Sequence, residues 1–209
     1  MSHSRLPVPP LLVISDRGQA RRKLTEIAAA SFAGGCRWFS LREKDLPAAE
    51  RRALLAELIA LGRPFGATVG IHDDIDAALA TGAGAIHLPG GGDPKAARAR
   101  LPNALIGVSA HDAQDAAATI AAGADYVTIS PVFLTDSKPG YGPALGLDGL
   151  ARTVAAANGP VVALAGITSA NAATCLKAGA AGIAVMGEIM RADDPKATVG
   201  ALLKALATP

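Results

Sequence analysis

Three cationic side chains stand at spacings that could hold a multiply charged anion. Arg42 and Lys44 lie two apart at the end of an apolar run, which aims both toward one side of an extended chain. Lys138 closes the run Thr135 to Lys138, where the hydroxyls of Thr135 and Ser137 and the nearby Gly140 and Gly142 would let donors and bare backbone N–H groups approach a phosphate. Three such charges suit a diphosphate, or a phosphate together with a developing negative charge. Each group has a plainer reading: Arg42-Glu43-Lys44 as a self-neutralising exposed loop, and 135–142 as a lysine-tipped surface loop.

Asp73, with Asp74 or Asp93 as a second oxygen ligand, could hold Mg²⁺, a hard ion that uses one or two carboxylates and completes its shell with phosphate oxygens and water. Asp74 and Asp93 also stand where helix caps are needed. Gly166-Ile167 and Met186-Gly187 follow late apolar runs and offer backbone N–H groups to an anion, or are ligand-free glycine turns. His72, His87 and His111 have no helical metal-binding spacing and are expected to be structural, none of them a general base; Ser109 and Ser130 lack the partners of a nucleophile motif, and hydrogen bonding to a substrate is the expected role of these two serines.

The elements that must position these residues are legible as a repeat. From Leu11 onward, short runs rich in Val and Ile alternate with amphipathic stretches rich in Ala, Leu, Arg and Glu. Strands are expected at 11–15, 37–42, 68–72, 85–88, 105–109, 126–129, 161–165 and 182–185, and helices near 20–32, 47–61, 74–81, 93–100, 112–122, 147–158, 169–177 and 195–206. Gly35, Gly82, Gly123 and Gly179 each fall between a helix and a strand, where a left-handed residue turns the chain back, and Asp74, Asp112 and Ser169 sit at expected N-caps. Eight βα units match an α/β protein with a single (β/α)8 TIM barrel over 11–209, preceded by an irregular arm, 1–10. A doubly wound open sheet is the alternative, although the turn Ser15 to Ala20 lacks the glycine pattern of a dinucleotide fold. In a barrel, the polar residues named above all fall at strand C-terminal ends and so share one mouth.

Composition narrows the partners. Among 209 residues aromatics are 3%, so the core is built from Ala, Val, Leu and Ile, and a net charge of +2 without a basic block argues against nucleic acid or a membrane surface. Cys36 and Cys175 have no metal or redox spacing and suit a reducing compartment, hence a cytoplasmic location. A homo-oligomer is compatible with the sequence, which neither requires nor excludes one.

The chain resembles thiamine phosphate synthase and its relatives the TenI-like thiazole tautomerases, from Leu12 to about Ile189. The resemblance rests on Leu41 to Lys44, Asp73, Gly107 to His111, Gly123 to Val127, Pro131 to Lys138, Gly166 to Thr168 and Gly182 to Met186. It implies a transferase that joins a pyrimidine methyl diphosphate to a thiazole phosphate with Mg²⁺. It would place Arg42, Lys44, Ser109 and Lys138 on the diphosphate, Ser40 and His72 near the pyrimidine, and Asp73 and Asp93 at the metal. Thr135 and Ser137 would line the thiazole, and Gly166, Met186 and Gly187 its phosphate. The chain departs from the synthase pattern in having Ser40 for Gln, His72 for Asn, Asp93 one residue later than the usual carboxylate, and Ala165 for the first glycine of a pair. Where tautomerases carry a histidine it has Pro131, as synthases do. The alternatives are a catalytically idle paralogue that binds a thiazole or thiamine phosphate, and a tautomerase.

Overall fold

The computed structural model describes residues 5–135 and 142–207. Its strands β1 (Leu11–Ile14), β2 (Trp38–Leu41), β3 (Thr68–His72), β4 (Ala85–Leu88), β5 (Leu105–Ala110), β6 (Tyr126–Ile129), β7 (Val161–Leu164) and β8 (Gly182–Val185) pair in chain order, all parallel. β8 returns to β1, with Leu11 opposite Ile183 and Val13 opposite Val185, so the barrel is closed and the open-sheet alternative is excluded. The helices are α1 (Leu24–Ala33), α2 (Ala48–Gly62), α3 (Ile75–Thr81), α4 (Pro94–Arg100), α5 (Ala113–Ala121), α6 (Gly146–Ala157), α7 (Ala172–Lys177), α8 (Gly187–Met190) and α9 (Pro195–Leu206). The one-turn α8 has no counterpart in the sequence expectation. No helix among the described residues is long and apolar enough to cross a membrane.

Local chemistry explains the boundaries. Strands buried on both faces read as unbroken apolar runs because one face meets the helices and the other the barrel interior. Gly35, Gly82, Gly123 and Gly179 all have positive φ, as the turn from helix to strand requires. Asp74 and Asp112 cap α3 and α5, accepting from the amides of Ala77 and Asp115 at 2.8 Å each. Ser169 does not cap. The helix begins later, at Ala172, because Asn171 is committed to the preceding turn: its Oδ1 accepts from Thr168 N and its Nδ2 donates to Gly166 O, each at 2.9 Å.

The apolar interior is divided in two. One cluster lies between strands and helices, and a second, with Leu12, Trp38, Leu105, Tyr126 and Val162, fills the barrel itself. Trp38 and Tyr126 meet edge to face across that interior, ring centroids 4.8 Å apart. Gly107, opposite Tyr126 in register, makes this possible: a Cβ there would fall 2.0 Å from the tyrosine ring. Leu6 joins the same inner cluster, and Arg5 bonds Asp125 at 2.9 Å and the Asn103 carbonyl at 3.1 Å. The segment before β1 therefore packs under the end where the strands begin, and the polar end of the barrel is the opposite one.

Gly107→Ala should lower the free energy of unfolding by about 1–3 kcal/mol, the range for overpacking a tight core. Gly200→Ala, in α9 with no neighbour to strike, should instead raise it by about 0.5–1 kcal/mol. Urea denaturation of both variants checks the contrast; equal effects would mean that Tyr126 can move aside.

Candidate active site

At the C-terminal ends of the strands lies a cavity of about 490 Å³, to which all eight strands or the loops after them contribute. Arg42 and Lys44 come from β2, His72 and Asp73 from β3, His87 and Gly90 from β4, and Ser109 and His111 from β5. Ser130 and Thr135 follow β6, Gly166 follows β7, and Met186 and Gly187 follow β8. Ser137 and Lys138 lie outside the described residues.

Arg42-Glu43-Lys44 does not neutralise itself. Glu43 is only 3% exposed and turns toward the β1 loop, where its Oε1 accepts from Ser15 Oγ at 2.6 Å and both oxygens accept from Arg17 N at 3.1–3.2 Å. Ser15 Oγ in turn accepts from Arg42 N at 2.8 Å. Burial pushes the Glu43 carboxyl above its ordinary range, against the pull of the Ser15 hydroxyl and the Arg17 amide. With the central acid bonded elsewhere, the two flanking cations face the cavity. Neither the buried role of Glu43 nor that of Ser15 was anticipated from sequence, since an acid between two bases reads equally as a surface loop.

Beneath the cations lies a neutral imidazole pair. His72 and His87, opposite each other on β3 and β4, have ring centroids 4.6 Å apart. His87 Nδ1 shares a hydrogen bond with Tyr126 Oη at 3.1 Å, and its Nε2 lies 3.0 Å from Ser109 Oγ and 3.3 Å from Thr128 Oγ1. Burial, and secondarily the Arg42 charge, hold His87 down to about 3. Burial first, then His87, Arg42 and Lys44, hold His72 well below its ordinary value. Ser109 is therefore a hydroxyl oriented by a neutral imidazole whose other nitrogen meets a phenol, not a carboxylate. That arrangement positions a hydrogen bond and does not activate a nucleophile. His72 Nε2 is buried without a hydrogen-bond partner among the described residues.

Two expected contacts are placed elsewhere. Ser40 faces the barrel interior one layer below Arg42, 3% exposed, and is not on the cavity wall. Asp93 caps α4, its Oδ1 accepting from Lys95 N at 2.9 Å and Ala96 N at 3.1 Å, and does not line the cavity either. The helix needs that cap because α4 starts there with Pro94, two residues after the Gly90 to Gly92 turn. Asp74 is likewise occupied, by α3 and by Arg51 at 2.6 Å. Asp73 alone among these acids is on the wall, in a left-handed conformation (φ 54°) with its N–H bonded to His87 O. Ala165 is left-handed too (φ 82°), and Gly166 beside it has no room for a side chain: a Cβ would lie 2.4 Å from Leu134 O. Because α8 is a single turn, the N–H groups at Met186 and Gly187 do not stand at the end of a long helix dipole. Glu188 and Arg191 also line the cavity, and nothing in the sequence reading pointed to them.

Glu43→Ala would strand the Ser15 hydroxyl and the Arg17 amide. It should cost about 1–3 kcal/mol in denaturant unfolding and weaken calorimetric binding of inorganic diphosphate; unchanged diphosphate affinity would separate Glu43 from the cations. For the imidazoles the sign follows from their depressed values: between about pH 3 and 6.5 the unfolded chain binds a proton that folded His87 does not, so stability falls as pH falls through that window. His87→Gln should remove from the slope of stability a contribution that nears about 1.4 kcal/mol per pH unit around pH 5, and an unchanged slope would show that His87 titrates normally.

The sequence matches the family model described as thiamine monophosphate synthase over residues 11–189. A relative from Geobacter sulfurreducens that bears the name thiamine-phosphate synthase provisionally is 44% identical over 199 residues, 94% of this chain and 93% of that protein. The thiamine-phosphate synthase of Roseiflexus sp. RS-1 is 38% identical over 199 residues, 94% of this chain and 84% of that protein. The solved thiamine phosphate pyrophosphorylase from Pyrococcus furiosus superposes with a TM-score of 0.84 at 32% identity, covering 94% of both chains. With the closed barrel and its cationic mouth already in place, these likenesses over almost the whole length show that the chain belongs to the thiamine monophosphate synthase family.

Proposed function

We propose that this cavity joins a hydroxymethylpyrimidine diphosphate to a thiazole phosphate, with release of diphosphate, in thiamine biosynthesis. The observation that carries the reading is the separation of Glu43 from its neighbours, which leaves Arg42 and Lys44 on the wall of a cavity whose other side is built from the turns at Gly166 and Gly187. About 490 Å³ is within the ordinary range for small-molecule sites.

In the reaction the bond between the pyrimidine methylene carbon and the diphosphate oxygen breaks, and the electron pair leaves with diphosphate. The thiazole nitrogen then gives its lone pair to that carbon. Arg42 and Lys44 hold the charge that collects on the leaving group, with Lys138 assigned to the same task from outside the described residues. Ser109, fixed by His87, donates to or accepts from the substrate. His72 and His87 stay neutral near pH 7, so they add no competing cation and remove no proton there. Thr135, with Ser137, is assigned to the thiazole side, and Gly166, Met186 and Gly187 to its phosphate.

Magnesium fits this site in one way. Among the described residues no three acidic, histidine or cysteine side chains are grouped to cage a metal, so Asp73 would hold the ion together with substrate phosphate oxygens and water. Bound there, the ion would offset part of the diphosphate charge. Asp93, bonded at the N-terminus of α4, is assigned no part in holding it.

Incubating the purified protein with both substrates and Mg²⁺ should yield thiamine phosphate and diphosphate in equal amounts. Arg42→Ala should lower kcat/KM by about 10²-fold, the scale for losing one donor to a developing anion. Saturable binding of a thiazole phosphate without product would instead identify a non-catalytic binding protein. Ring isomerisation without the pyrimidine substrate would identify a tautomerase.

A further inference from the structure

We propose that Arg191 receives the phosphate of the thiazole substrate and sets the preference for the phosphorylated thiazole over its free alcohol. The proposal rests on the functional reading above and concerns a residue for which that reading has no role.

Arg191 follows the single turn of α8, and its N–H donates to Gly187 O at 3.0 Å, so it stands one helical turn above Gly187. Side chains on a helix lean toward its N-terminus, which carries this guanidinium back over residue 187. The fit there depends on the absence of a side chain: a Cβ on Gly187 would lie 2.2 Å from Arg191 Nη1 and 2.6 Å from Cζ and Nη2. Glycine at 187 thus admits the guanidinium to the cavity wall, and any larger residue would push it out.

The arginine is also held from the far side. Nη1 donates to Gln19 Oε1, Gln19 Nε2 donates to Asp16 Oδ2 at 2.5 Å, and Arg21 N donates to Met190 O at 3.1 Å. Gln19 is a neutral amide, so this contact orients the guanidinium and adds no negative charge of its own. Glu188 shares this wall, and its carboxylate would repel an anion unless a cation stood beside it. Loops after the seventh and eighth strands are a frequent phosphate location in such barrels, and a planar guanidinium suits a phosphate bidentately. Arg42 and Lys44 rise from β2 and Arg191 from the loop after β8, with β1 between them. The reaction brings two separate anionic groups to one cavity, and the two cationic positions match them.

The test compares wild type with Arg191→Ala, Arg191→Lys and Gly187→Ala, each first checked for an unchanged melting temperature. In steady-state synthesis Arg191→Ala should raise KM for the thiazole phosphate by about 10- to 100-fold, the range for losing a charged hydrogen bond, and leave KM for the pyrimidine diphosphate within twofold. Arg191→Lys should recover part of the loss. Gly187→Ala, which displaces only the flexible end of Arg191, should reproduce part of it. Discrimination against the thiazole alcohol should shrink in parallel. A rise in both KM values, or in that for the pyrimidine diphosphate alone, would overturn the proposal, as would no change. Calorimetric titration of the same proteins with the thiazole phosphate alone keeps the two readings apart. Should wild type form no thiamine phosphate yet bind this ligand, weaker binding by Arg191→Ala supports the phosphate role and equal binding refutes it; failure of wild type to bind overturns both readings.

Discussion

The structure depends on where one buried carboxylate is directed. An Arg-Glu-Lys triplet in water pairs within itself at little gain, because exposed ion pairs are weak and screened. Here Glu43 is withdrawn from solvent and given the Ser15 hydroxyl and the Arg17 amide, so its negative charge is satisfied inside the β1–β2 joint. The same serine oxygen accepts from Arg42 N, which ties the backbone that carries the cation to the acid that would otherwise quench it. The acid of the triplet is thus bonded away from the cavity while both of its basic neighbours line it. Burial is the main cause of the depressed His72 and His87, and the Arg42 charge adds to it in both.

The barrel interior grades from apolar to polar along its axis. Leu6 and the Trp38–Tyr126 pair fill one end, and Ser109, Thr128 and the two imidazoles stand toward the other. Tyr126 joins the two regimes: its ring packs on Trp38 while its hydroxyl meets His87 Nδ1. A buried polar layer is tolerable only when its members are bonded to one another. Gly107 thereby affects the site at a distance, because it leaves the space in which the Tyr126 ring lies and so sets where that hydroxyl reaches.

Most of the fold was legible in the sequence, because parallel strands buried on both faces leave continuous apolar runs and the helix-to-strand turns need glycine at Gly35, Gly82, Gly123 and Gly179. Ser169 misled because a cap is a geometric event: Asn171 took the nearby turn, and α7 started after it. α8 was missed since four residues are too few to show a helical period. At the site, position at a strand end located Arg42, Lys44, His72, Asp73 and Ser109 on the wall, but it could not tell Ser40 from Arg42, which share an inward-facing row and differ by one layer. Arg191 was invisible for another reason. Its place follows from the lack of a side chain four residues earlier, and a glycine ahead of an arginine carries no such meaning until the turn between them is known to be helical.

The departures from the synthase pattern act differently on backbone and wall. Ala165 adopts a left-handed bend (φ 82°) although it carries a side chain, at a conformational cost of order 1–3 kcal/mol that the hydrogen bonds of Phe133 N to Ala165 O and Asn171 Nδ2 to Gly166 O help to offset. Ser40 is another matter. A glutamine rooted one layer below Arg42 is long enough to reach upward past the layer, whereas a serine stops short of it. What the wall presents between β2 and β3 instead is the His72 ring, larger than an asparagine and kept neutral by burial and by the cations beside it. Its Nε2 is buried and without a partner among the described residues, a desolvation cost that none of them offsets. That cost is carried by the folded chain on the side of β3 that adjoins the cavity wall, where the ring is packed against His87.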